Sequence, residues 1–152
     1  MYAALLGTHS WVRWILLISM VLILFRSFGG MKKGTYTGVD KNAALVLFWA
    51  LNIQFILGLA LYFVFSPITQ AAFGNMSEAM ADSSLRFFVV EHFVAMFLAI
   101  AVGHVGIARA KREQDPARKH KLLLIWIGLC LLIVIAGIPW PFLPYGRGLF
   151  FF

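Results

Sequence analysis

Charge is scarce in this sequence. Only 12% of its 152 residues are Asp, Glu, Lys or Arg, about half the share of a soluble domain. Six residues are acidic and one is a cysteine, Cys130. A lone cysteine excludes a disulfide framework, and it excludes cysteine-ligated zinc or iron–sulfur sites within this chain alone. No phosphate loop, nucleophile–base arrangement or metal-hydrolase motif appears, so hydrolytic chemistry of the soluble type has no support. What is abundant is apolar surface: 62% of residues are hydrophobic and the mean hydropathy is +0.88. That content excludes disorder and low complexity. A water-soluble fold of this size could not hide it. The bilayer is the expected solvent.

A hydrocarbon core about 30 Å thick needs about 20 apolar residues of helix. Four segments reach that length, at roughly 3–25, 42–65, 86–107 and 122–138. They are rich in Leu, Ile, Phe and Ala without the alternation of a barrel strand, so helices are expected. The first run has no basic stretch before it, carries Arg13 inside it and is too long for a signal-peptide core, so it reads as a mature helix. With no internal repeat, residues 1–152 read as one all-α domain, a four-helix up-down membrane bundle.

Ten of the thirteen Lys and Arg residues crowd two connections, 27–41 and 108–121, or their edges. The other side keeps only Arg86 and Arg147. By the positive-inside rule those two loops are cytoplasmic and both termini lie outside, which in a bacterium means the periplasmic face of the inner membrane. The net charge of +7 then follows from topology, and nucleic acid is not an expected partner. Past the fourth span, GIPWPFLPY carries Pro139, Pro141 and Pro144, which end the helix, while Trp140 and Tyr145 suit an interface. The apolar tail, 149–152, is expected on the membrane surface or against a partner subunit.

Ionisable groups inside a span cost roughly 2.5–3.5 kcal/mol by insertion scales, so each needs a reason. At about 1.5 Å per residue, His9 and His92 both fall near ~9 Å from the outer end of their helices. Two histidines level with each other on different helices match the needs of a bis-histidine haem iron. Ala95, Ala99 and Gly103 follow His92 at helical spacing and leave one stripe nearly without bulk. A flat macrocycle could lie there, or a neighbouring helix could approach closely. Arg13 and Glu91, at depths of about 15 and 8 Å, are near enough to form an ion pair. Arg13 could otherwise hold a haem propionate, and Glu91 could relay protons for a quinol. Gln54 falls at a depth similar to Arg13 and could complete that polar cluster. Asn52 points about 200° away from it and suits an interhelical hydrogen bond. His104 and His120 are candidates for a second haem, although their depths match poorly. His120, in KHK, is otherwise expected beside lipid phosphates.

With HSWVRW in the first span, RFFVVEH opening the third, KHK opening the fourth and GIPWPF closing it, the sequence resembles small bacterial four-helix membrane proteins labelled cytochrome b-like. The resemblance runs the length of the chain. It implies b-type haem and a respiratory or redox setting, with His9 and His92 on the motif histidines and His120 as the histidine of KHK. His104 has no motif counterpart. The absence of CxxCH excludes c-type haem attachment.

The leading expectation is an electron-transfer protein holding haem b between His9 and His92, linked to quinone and to an outer-side redox partner. The alternative is a haem-free accessory subunit of a larger membrane complex, in which His9, Arg13, Glu91 and His92 form a buried clasp. A proton-coupled carrier comes third, since four helices give little room for alternating access unless the chain forms a homo-oligomer.

Overall fold

Each apolar run forms a helix, and each helix extends past the run. The computed structural model describes residues 1–148. Four helices in it are long and apolar enough to cross a membrane: span one Tyr2–Lys33, span two Gly38–Phe65, span three Ser83–Arg112 and span four Pro116–Gly137. No strand occurs among the described residues. The chain is an all-α membrane protein. The tail expectation for 149–152 lies outside the described residues.

The extra length comes from polar flanks that stay helical beyond the apolar stretch. Span one continues to Lys33 and stops at Gly34, whose φ of 62° is left-handed and whose N–H bonds the Gly30 carbonyl at 2.9 Å. Glycine adopts that conformation without the Cβ penalty. Span two starts at once behind Thr37. Asp40 accepts from the Thr37 N–H and hydroxyl, each at 2.7 Å, and from Arg26 Nε at 2.6 Å. One carboxylate thus caps a helix start and ties it to span one. Asp115 caps span four, with Pro116 at the first helical position.

Contacts across the bundle establish its up-down order. Arg26 meets Asp40 at one end, while His9 near the start of span one meets Gln54 late in span two. Asn52 reaches His104 and His92 reaches Gly137. Between these links sits a core of Leu16, Met20, Leu47, Leu51, Ile127 and Cys130. Only 17–33% of the most apolar window of each span is buried. Exposed large hydrophobics such as Ile18, Phe25, Ile56, Phe97 and Leu132 face outward, where hydrocarbon is their natural solvent.

At the end of the bundle where span one begins, the helices lose their regular pitch. Leu61–Phe65 closes span two and Phe87–Glu91 lies inside span three, both as π-helical turns. Each π-turn shifts the register by part of a turn relative to α-helical counting. Thr69 Oγ1 and Gln70 Nε2 donate to the Tyr62 and Phe63 carbonyls at 2.7 and 2.9 Å, covering the irregular end of span two. Two short helices, Pro67–Gly74 and Met76–Ala81, fold over this end around buried Ala72, Ala79 and Val89.

Candidate functional site

A cavity of about 420 Å³ lies at the end of the bundle where span one begins, bounded by all four spans and by the turn that follows span four. His9 and Arg13 enter from span one, Gln54, Gly58 and Tyr62 from span two, and His92 from span three. Gln54, Gly58 and Tyr62 stand at steps of four residues, one face of a helix. Gly58 leaves room for an imidazole: a Cβ there would stand 3.4 Å from His9 Cε1.

The two histidines are held differently. Span four ends at Gly137, where helix geometry leaves the last carbonyls without intrahelical partners. His92 Nδ1–H donates to the Gly137 carbonyl at 2.7 Å. A carbonyl only accepts, so the neutral ring carries its proton on Nδ1 and keeps a lone pair on Nε2. His9 Nε2 lies 3.1 Å from Gln54 Nε2. His9 Nδ1 and Gln54 Oε1 are buried without a hydrogen-bond partner. Turning the Gln54 amide over exchanges its donor and acceptor and still leaves His9 Nδ1 unmatched. A buried polar atom left in this way calls for a water or a ligand.

Several expected arrangements are corrected. Glu91 does not join Arg13 and Gln54 in a buried cluster: it is 45% exposed and pairs with Arg86 Nε at 3.0 Å. The π-turn Phe87–Glu91 immediately precedes His92, so α-helical spacing misplaces Glu91 around the axis. Arg13 lines the cavity, its guanidinium 5.6 Å from the centre of the Trp14 ring. Gln54 serves His9 instead of Arg13.

The small-residue stripe is a packing seam and leaves no slot for a macrocycle. A Cβ on Gly103 would come within 2.9 Å of Leu51 and 3.3 Å of Cys130 Sγ. Cys130 Sγ donates to the Ala99 carbonyl at 3.1 Å, and a Cβ on Gly137 would stand 3.0 Å from Ala95 Cβ. Spans three and four use these positions to approach each other closely. Ala99 also borders a separate apolar void of about 60 Å³, which His9 and His92 reach as well.

His104 and His120 do not form a second pair. His104 Nδ1 donates to the Ile100 carbonyl at 2.8 Å, and its Nε2 accepts from Asn52 Nδ2 at 3.2 Å. His120 is 1% exposed, not interfacial. Its Nε2 donates to the Thr35 carbonyl at 3.0 Å and its Nδ1 faces Ser27 Oγ at 3.4 Å. The loop between spans one and two folds over it, with Tyr36 at a ring separation of 5.1 Å. Loop closure of that kind removes the ring from lipid headgroups.

Sequence reasoning missed Gly58, Tyr2, Gly137 and Arg147 as parts of the site. The four-residue step from Gln54 to Gly58 was a usable signal, as were three prolines in six residues, which turn the chain back. Tyr145 stacks on Phe87 at 3.9 Å, and the Arg147 N–H bonds the Pro139 carbonyl at 3.0 Å. Arg147 is thereby brought over the cavity mouth beside Tyr2.

Among the described residues, no three His, Cys, Asp or Glu side chains gather as a bare metal ion requires. Two imidazoles from different helices beside one cavity are a donor set that suits a haem iron. No protein-family description, no curated protein and no solved structure matches the chain.

Proposed function

We propose that this chain is a membrane-embedded b-type cytochrome-like protein that passes electrons within a respiratory or quinone-linked chain. His9 and His92 are the residues that would hold the haem iron. One observation carries the proposal: the two histidines come from different spans, line one cavity, and each keeps a ring nitrogen without a protein partner. A b-type haem bound there supplies reversible one-electron chemistry.

The protein's own contribution is positional and electrostatic. The Gly137 carbonyl fixes the tautomer and the plane of the His92 ring, as second-shell acceptors do for ligating histidines. With its amide turned over, Gln54 Oε1 would accept from His9 Nε2–H and leave the Nδ1 lone pair for the iron, and Gly58 admits the ring. The apolar bundle below the cavity keeps water away from the site, and Arg13 supplies positive charge beside it.

The charge asymmetry of the loops supports the bacterial inner membrane, with both termini on the periplasmic face. The site then lies near the outer surface, within reach of quinone at the interface and of a periplasmic redox partner. A larger complex or a homo-oligomer is compatible with the apolar outer faces of the spans.

Visible spectra of detergent-purified protein, oxidised and dithionite-reduced, test the assignment when paired with His92→Ala. The expected result is a b-type α-band that the variant loses. Colourless protein from haem-replete cells would overturn it and leave the histidines as a clasp in a haem-free accessory subunit.

A further inference from the structure

Arg147 borders the cavity, and among the described residues no Asp or Glu lines it. Arg147 is held by neutral groups: its Nη1 donates to the Tyr2 hydroxyl at 3.1 Å and its guanidinium stands 4.7 Å over the Phe88 ring. Tyr2 comes from the start of span one and Phe88 from the π-turn of span three, so two elements hold this cation in place. A pre-positioned guanidinium beside an apolar cavity is a strong donor for a planar anion, because low dielectric strengthens the attraction and the fork geometry matches a carboxylate. The histidines lie on the same cavity.

We propose that Arg147 makes this cavity selective for an amphipathic ligand that carries carboxylate at one end. The selection acts on the charge of the ligand and is separate from histidine ligation. It rests on the haem reading for the ligand's size and shape but has its own observation, an Arg147 guanidinium held beside the cavity by the neutral groups of Tyr2 and Phe88. A lipid phosphate offers similar anionic oxygens. The cavity's inward reach to His9 and His92 favours a ligand with a broad body over a headgroup alone.

Metal-free protoporphyrin IX isolates the charge, since it bears two carboxylates and has no iron for histidine to bind. Its binding and that of its uncharged dimethyl ester are measured by fluorescence in phosphatidylcholine nanodiscs. The wild type, Arg147→Gln and Arg147→Lys are compared, each first checked for helix content and elution volume. The wild type is expected to prefer the diacid by about tenfold, the scale of one charge-assisted hydrogen bond. Arg147→Gln should remove most of that preference and Arg147→Lys should restore part of it. Equal binding of diacid and ester overturns the proposal, as does a preference untouched by Arg147→Gln or no binding of either compound. A preference that vanishes when phosphatidylglycerol replaces part of the lipid assigns the site to a headgroup and overturns it too. Iron protoporphyrin titrated alongside separates the two conclusions. Diacid selectivity without a histidine-ligated spectrum sinks the haem assignment alone, and a histidine-ligated spectrum without diacid selectivity sinks only this proposal.

Discussion

Two regions of the bundle treat their histidines in opposite ways. In the half near the loop between spans one and two, His104 and His120 have both ring nitrogens engaged, by Ile100 and Asn52 and by Thr35 and Ser27. In the opposite half, His9 and His92 border open space, and His9 Nδ1 is buried without a partner. The residue type and the apolar surroundings are the same. What differs is whether the protein completes the ring's hydrogen bonds, and that decides which imidazoles are structural and which are available to a ligand.

The sharpest way to break this contrast is alanine at each of the four positions in turn. Alanine at 9 or 92 should abolish the reduced α-band, whereas alanine at 104 or 120 should leave it in place. A spectrum lost on removing His104 would mean that full hydrogen bonding is no guide to role.

Stability should show the reverse ranking. A Cβ at Gly30 would fall on the His120 ring, so Gly30→Val should cost about 1–3 kcal/mol through overpacking. His120→Ala should cost about 1–3 kcal/mol by leaving buried partners unmatched. The double variant should be less damaged than the sum, since the smaller side chain at 120 makes room for valine. Denaturation midpoints in mixed detergent micelles measure all three, and strict additivity would deny the contact.

A smaller effect is expected at Asn52→Ala. Interhelical hydrogen bonds in membranes average about 0.6 kcal/mol, so the same assay should register a shift of that order. A much larger loss would give the Asn52–His104 link a greater role than packing.

The smallest effect is a pH dependence beside His120. Burial, reinforced by the Asp40 charge, raises the Tyr36 phenol above its ordinary value of 10.0. The folded state therefore holds this proton more tightly than the unfolded state. The linked stability is intact below the ordinary tyrosine pKa and drains away as pH climbs through the raised folded value. Tyr36→Phe cannot ionise and should flatten that alkaline decline, visible as a shallower fall of the unfolding midpoint. Parallel curves for the two proteins would show that Tyr36 plays no part.

The four spans were legible because apolar runs of bilayer length have few other uses. Counting residues from the helix ends put His9 and His92 level, and both line one cavity. Such counting works only while the pitch holds. The π-turn at Phe87–Glu91 has no signature in hydropathy, so regular spacing points Glu91 at Arg13 instead of Arg86. The Ala95–Ala99–Gly103 stripe was ambiguous because a macrocycle and a helix both want a flat surface, and only the positions of Cys130 and Leu51 decide between them. His120 looked interfacial because its neighbours, Lys119 and Lys121, are charged. Its burial depends on a loop remote in sequence, Thr35 and Tyr36, closing over it. In sequence Arg147 is only a topological marker, because proline marks the end of a helix without giving the direction the chain takes afterwards.

The contact between Gly30 and His120 also bears on ancestry. The imidazole occupies the space that any side chain at position 30 would need, so neither position is free to drift alone. Among chains descended from a common ancestor with this one, a larger residue at 30 should arrive together with a smaller one at 120. Linked change at these two sites, ninety positions apart in sequence, would be the trace this contact leaves.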